Sequence, residues 1–147
     1  MRLDRPRRLI PPARPGALLK RFNAPIVRVR KAAAERDPDY LSLVRQCPCL
    51  SCGMEPCYEA AHVRMASAAF GKASGLGKKP PDRWALPLCP DHHRVLNVSQ
   101  HHQDERFFWD TLGINPLITA EKLYAQRGDL VAMRAVIFST IAMRGRT

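Results

Sequence analysis

At 147 residues, with 24 lysines and arginines against 13 aspartates and glutamates, the chain carries a formal net charge of +11. That length leaves no room for a second large core, that charge points to a polyanionic partner, and no stretch approaches the roughly twenty apolar residues of a membrane span. The basic N-terminus runs into Pro11-Pro12 and not into an apolar segment, so a cytoplasmic protein is expected, with its cysteines reading as metal ligands or free thiols and not as disulfides.

Residues 1–36 hold eleven basic side chains, Arg28, Arg30 and Lys31 among them, against only Asp4 and Glu35, with prolines at 6, 11, 12, 15 and 25. So much charge and proline leaves too little apolar surface to bury. The segment is expected to be a flexible arm that contacts nucleic acid electrostatically, the bland alternative being a solvated tail. Asp37-Pro38 then reads as an N-cap and first-turn proline of a short helix with Tyr40, Leu41, Leu43 and Val44 on its apolar face, ending near Gln46. Tyr58 to Arg64 reads as a strand with His62 at its end. Ser67 to Lys79, rich in Ala, Gly, Ser and Lys, reads as a flexible loop presenting Lys72, Lys78 and Lys79.

Arg83 to Leu88 reads as a second strand, confined to an edge or end position by Pro87, and Pro90-Asp91 as the start of a helix through about Leu96. Glu105 to Leu112 places Phe107, Phe108, Trp109 and Leu112 at helical spacing before Gly113, and these aromatics are expected in the core. Thr119 to Gln126 and Asp129 to Met143 read as two further helices, capped by Thr119 and Asp129 and separated by Gly128. The last of these is expected to pack on the core or on a second copy of itself.

All five cysteines and all five histidines fall between Cys47 and His102. Cys49-x2-Cys52 and Cys89-x2-His92 form two knuckles separated by roughly forty residues, the pattern of a single structural zinc in a tetrahedral Cys3His shell. Cys47 and Cys57 compete for places in that shell, and His93 competes with His92. The other histidines suit proton transfer, because a neutral imidazole with a pKa near about 6.5 accepts a proton from water at neutral pH. Phosphodiester hydrolysis needs that proton removed, and it also needs a cation for the charge that develops on the phosphate.

Pro48 to Gly53, Ala61-His62-Val63-Arg64, Lys79-Pro80-Pro81-Asp82, Pro87 to Arg94, Ser99-Gln100-His101 and Asp104 to Trp109 running into Gly113-Ile114-Asn115-Pro116 together resemble the HNH, or ββα-metal, endonucleases, and within them the small phage and prophage branch. The resemblance covers residues 47–118, about half the chain. It implies an α+β fold, with a zinc-stapled ββα-metal core over 37–118 following the basic arm of 1–36, and a C-terminal helical extension over 119–147.

The resemblance also implies a metal-dependent DNA endonuclease acting in phage recombination. His62 matches the general base, and His93 and His101 match the histidines that hold a catalytic Mg2+ or Mn2+, with Asp82 as a further ligand candidate. Arg64 and Arg94 flank the site and, with the basic residues of the arm and of the Lys72 to Lys79 loop, are expected to contact DNA. A recombinase filament is a further expected partner. Two departures stand out. Ala61 occupies the position where many members place a metal-ligating Asp or His, and the family's middle Asn is absent, Asp82 being the nearest polar residue. The competing expectation is therefore a zinc-stabilised DNA-binding accessory module for recombination or packaging that has lost the cation. An RNA-binding zinc protein is a third, suggested by charge alone.

Overall fold

A computed structural model describes residues 35–73 and 79–144, so that Arg28, Arg30, Lys31 and Lys78 lie outside the described residues. Helix α1 spans Pro38–Gln46, and the Asp37 carboxylate accepts the Tyr40 N–H at 3.0 Å while Pro38 fills a first-turn position that needs no donor. Tyr40, Leu41 and Val44 are buried and Leu43 packs against them, as the apolar spacing predicts.

Strands β1 (Glu59–His62) and β2 (Ala85–Leu88) pair antiparallel, with Glu59 opposite Leu88 and His62 opposite Ala85. Every residue of β2 is buried. The Tyr40 hydroxyl donates to the Ala85 carbonyl at 3.0 Å, and the Leu50 N–H donates to the Pro87 carbonyl at 3.0 Å, so α1 and the first Cys knuckle are both fastened to this strand. Pro87 lacks an N–H, which it can do without in a two-stranded sheet where its carbonyl serves the knuckle. Arg83, expected in the strand, lies instead in a 3-10 turn over Asp82–Trp84 that leads into it. The helix expected after Pro90 is a single π turn, Asp91–Val95.

Helix α2 (Glu105–Thr111) is capped by Asp104, whose carboxylate accepts the Phe107 N–H at 3.0 Å. Phe108 and Trp109 are buried, but Phe107 is 62% exposed. Three consecutive helical residues fan across about 200° of the helix, so one of them must leave the core face. Helix α3 (Pro116–Ala125) begins earlier than expected because Asn115 is its cap, accepting the N–H groups of Leu117 and Ile118 at 3.1 Å. Thr119 is therefore not a cap; it is buried inside the first turn, its hydroxyl donating back to the Asn115 carbonyl. With its start at Pro116, α3 crosses the expected boundary between 118 and 119 and packs on β2 and on the Asp82–Trp84 turn. Helix α4 (Leu130–Ala142) follows Gly128 at φ +95° and the cap Asp129, and buries Met133 and Ile137 against α3 and α1.

Between the strands, Ser67 and Lys72 pair across a 3-10 turn at Ala68–Phe70. Lys72, expected on a solvated loop, is instead buried, and its ammonium donates to the Met65 carbonyl at 2.7 Å. The tight turn folds its aliphatic stem onto the body, and burial lowers its pKa against the opposing pull of Glu105. The result is a mixed α+β body built around a small sheet. Among the described residues no helix is long and apolar enough to cross a membrane.

Candidate metal centre and histidine site

The donor atoms of Cys49, Cys52, Cys89 and His92 all lie within 4.8 Å of one another. The Cys52 and Cys89 sulfurs are 3.9 Å apart and the Cys89 sulfur is 3.0 Å from His92 Nδ1. A tetrahedral zinc with Zn–S bonds of about 2.3 Å sets its sulfurs about 3.8 Å apart, so the sulfur spacing suits that ion. The backbone is shaped to match. Gly53, at φ +76°, reverses the first knuckle so that its N–H meets the Cys49 carbonyl, and the Cys49 sulfur accepts N–H groups from Ser51 at 3.4 Å and Cys89 at 3.3 Å. These four residues can hold a metal ion, and their Cys3His chemistry fits structural zinc.

The competing Cys47 and Cys57 stand outside this donor set. Cys57 donates to the carbonyls of Val44 at 3.3 Å and Glu59 at 3.2 Å, and burial pushes its thiol up to about 12 and that of Cys47 up to about 11. All five cysteines are free of disulfides. The Arg144 guanidinium closes over the first knuckle, donating to the Ser51 carbonyl at 2.8 Å and to the Leu50 carbonyl, which brings positive charge beside Cys49 and Cys52.

His62 stands at the end of β1, and its Nε2 lies 2.9 Å from Oδ1 of Asp82 in the turn before β2. Asp82 is buried, and it also accepts the Asp37 N–H at 3.0 Å and a guanidinium N–H of Arg36 at 3.3 Å. Burial alone would raise the Asp82 pKa, but the Asp37 and His62 hydrogen bonds, with the His62 and Lys79 charges, bring it below the ordinary carboxylate value. His62 moves down as well: burial disfavours its cation, and Lys79 and Arg36 add to that against the pull of Asp82. An ionised Asp82 has no proton to give, so Nε2 of the neutral imidazole carries the hydrogen and Nδ1 keeps the lone pair.

His93 and His101 meet edge to face with ring centroids 4.5 Å apart. Nδ1 of His93 is 2.7 Å from Glu59, whose other carboxylate oxygen takes the Arg94 guanidinium at 2.7 and 2.8 Å. Burial would raise the Glu59 pKa, but the Arg94 and His93 hydrogen bonds outweigh it and lower it. Partial burial, then the neighbouring His93 and Arg64 charges, lower the His101 pKa. Strand alternation puts Glu59 and His62 on opposite faces of β1, roughly 10 Å apart along it.

The structure thus brings Asp82 to His62, and His93 to His101. It does not gather Asp82 with His93 and His101 into one donor set among the described residues. Ala61, the residue before His62, is fully buried. Arg64 is exposed, and its backbone N–H and that of Met65 are held by Glu105, which also takes the Gln100 side-chain amide at 2.6 Å. Gln100 in turn donates to the His62 carbonyl at 3.3 Å. The roles of Glu59, Glu105 and Arg36 escape sequence reasoning, because each acts across 34 to 46 residues of intervening chain. No protein-family model, no curated protein and no solved structure matches the chain.

Proposed function

We propose that the chain is a metal-dependent DNA endonuclease of the HNH, ββα-metal kind, in which β1, β2 and the helical turn at Asp91–Val95 carry the reacting groups and a zinc at the two knuckles holds them in place. The observation that carries this reading is the His62–Asp82 pair. A carboxylate on Nε2 fixes the tautomer and ring orientation, so Nδ1 is the atom that would take a proton from the attacking water. The depressed His62 pKa keeps that lone pair free at neutral pH.

His93 and His101 are the residues that would hold the divalent ion. Glu59 on Nδ1 of His93 is the usual support for a metal-binding histidine, since it leaves Nε2 as the donor atom. When bound there, Mg2+ or Mn2+ would supply Lewis-acid stabilisation of charge on the phosphate. Arg94 is committed to Glu59, so its contribution is to hold that carboxylate in place more than to clamp DNA.

A second reading has its own support. The buried Ala61 offers no ligand beside His62, and Asp82 is occupied by His62, Asp37 and Arg36, which favours a zinc-stabilised DNA-binding module without hydrolysis. Plasmid nicking by the zinc-loaded protein, with Mg2+ or Mn2+ added, decides between the two. Nicking that falls by about 100-fold or more in His62→Ala, with folding and DNA binding intact, is the expected result for a positioned base. Absence of nicking under either ion leaves the binding module.

A further inference from the structure

Gln100 sits fully buried in the turn that follows Asp91–Val95, and the proposed reaction gives it no part. Its side-chain nitrogen lies between two acceptors, the His62 carbonyl at 3.3 Å and Oε1 of Glu105 at 2.6 Å. A carbonyl and a carboxylate can only accept, so both amide N–H groups are committed. The amide oxygen is buried and finds no partner among the described residues. A leucine of similar size would fill the space without stranding an acceptor, so what the amide adds is its two directed donors and not its bulk. Those donors meet β1 at its open edge. The Val63 N–H pairs with the Trp84 carbonyl, so the His62 carbonyl, one residue back, points to the side of the strand that β2 does not cover. Glu105 extends the hold by accepting the N–H groups of Arg64 and Met65, each at 2.9 Å. The backbone of the same turn grips the other histidines: the Gln100 N–H donates to the His92 carbonyl at 2.9 Å and the His101 N–H to the His93 carbonyl at 3.1 Å.

We propose that Gln100 is the positioning residue that fixes His62 relative to His93 and His101. Its backbone is bound to the turn that carries His93, its chain neighbour is His101, and its side chain holds the main chain of His62. The division of labour with Asp82 is clear. Asp82 sets the tautomer and direction of the His62 ring, whereas Gln100 sets where the backbone bearing that ring stands. The sheet holds His62 from one edge, through β2, and Gln100 holds it from the other. On the nuclease reading, on which this inference rests, His62 takes a proton from the attacking water while His93 and His101 hold the cation, so their separation has to stay constant. An error of about 1 Å in such a placement can cost about 100-fold in rate. Gln100 acts through the two stretches of backbone it joins and not on the reacting atoms.

The test uses full-length, zinc-loaded protein with Mn2+ as the probe, the histidine ring signals being followed by NMR. Paramagnetic broadening falls with the sixth power of distance, so the broadening of His62 relative to His93 and His101 reports how far the base stands from the ion. Gln100→Ala empties the space and Gln100→Leu fills it, and neither offers an N–H; should the first fail to fold, the second carries the test. In each, the relative broadening of His62 should change about twofold, and kcat for plasmid nicking should fall about 10- to 100-fold with the KM for DNA unchanged. Wild-type proportions and kcat in Gln100→Leu would show that the side chain only fills space, and would overturn the inference alone. Mn2+ that broadens neither His93 nor His101 in the wild type overturns the nuclease reading and the inference with it. A changed proportion in a protein that never nicks DNA leaves Gln100 as the positioning residue and removes the nuclease.

Discussion

Nε2 of His62 lies 2.9 Å from Oδ1 of Asp82, twenty residues further along the chain, and the carboxylate is almost wholly enclosed. One buried oxygen therefore sets both the tautomer of the imidazole and the direction of its lone pair. Asp82→Ala should fold less stably by about 2 to 4 kcal/mol, since it strands the Asp37 N–H and unseats His62. Asp82→Asn keeps a carbonyl acceptor for Nε2 and should retain more nicking activity than Asp82→Ala. Equal activity in the two variants, measured on supercoiled plasmid, would remove the orienting role.

Acid should weaken the fold in two steps. His62 has a lowered pKa in the folded chain, so above about 6.5 it is neutral whether folded or unfolded and contributes no pH dependence. Below that pH the unfolded chain takes the proton more readily, and stability falls until the folded His62 also titrates. Asp82, lowered too, contributes stability above its unfolded pKa of about 3.9 that is lost as pH falls through its folded value. Denaturant melts from pH 7.5 to 5 should slope downward in the wild type and slope less in His62→Gln. The difference between the two curves isolates His62 from any acid release of metal.

Zinc removal should unfold the central body. Structural zinc contributes on the order of 10 kcal/mol or more in small metal domains, and Cys49→Ser or Cys89→Ser should lose the ion and the cooperative melt together. Cys57→Ala should keep one equivalent of zinc, because that thiol is spent on backbone carbonyls. Elemental analysis of the three variants reads the assignment directly; zinc retained in Cys89→Ser would sink it.

Glu59 should matter to nicking without touching DNA. Glu59→Gln weakens the hold on His93 Nδ1, and loss of such a support lowers metal affinity by about 10- to 100-fold. Activity should then return at high Mn2+, whereas His62→Ala should stay inactive at any concentration. Identical responses of the two variants to Mn2+ would show that Glu59 and His62 do not act on different parts of the reaction.

Removing residues 1–34 while leaving Glu35 and Arg36 in place should weaken DNA binding and flatten its dependence on salt. Each phosphate no longer neutralised lowers the log–log slope by about 0.9. An unchanged slope leaves the arm as a solvated tail. The cut belongs at 34 because Arg36 and the Glu35 carbonyl already belong to Asp82.

Much of the local structure can be read from single residues whose chemistry acts over a few positions. Asp37-Pro38 announces α1, Gly128-Asp129 the start of α4, and the two Cys knuckles a single donor set that can hold a metal ion. Asn115-Pro116 announces α3 just as clearly, by the same cap-then-proline logic, but Thr119 is a rival signal three residues into the helix. The candidate site is less legible. Glu59 lies in a four-residue strand whose only visible marker is His62, and its meaning depends on His93 arriving from another element. Arg36 looks like one more arm cation until the fold sets it against Asp82. Lys72 looks solvated until its neighbours close over its stem.

Tyr124 reaches Glu35 and Asp37 across 89 and 87 residues of chain. Closing so long a loop costs more entropy than forming the hairpin or either knuckle, so this clasp is late in folding and early in opening. Hydrogen exchange should accordingly find the Asp37 and Asp82 amides exchanging ahead of those in β2, at the lower free energy of a local breathing motion. Readiness of His62 would then be a matter of kinetics: the body around β1 and β2 can be assembled while Glu35–Asp37, beside Asp82, has yet to close onto Tyr124.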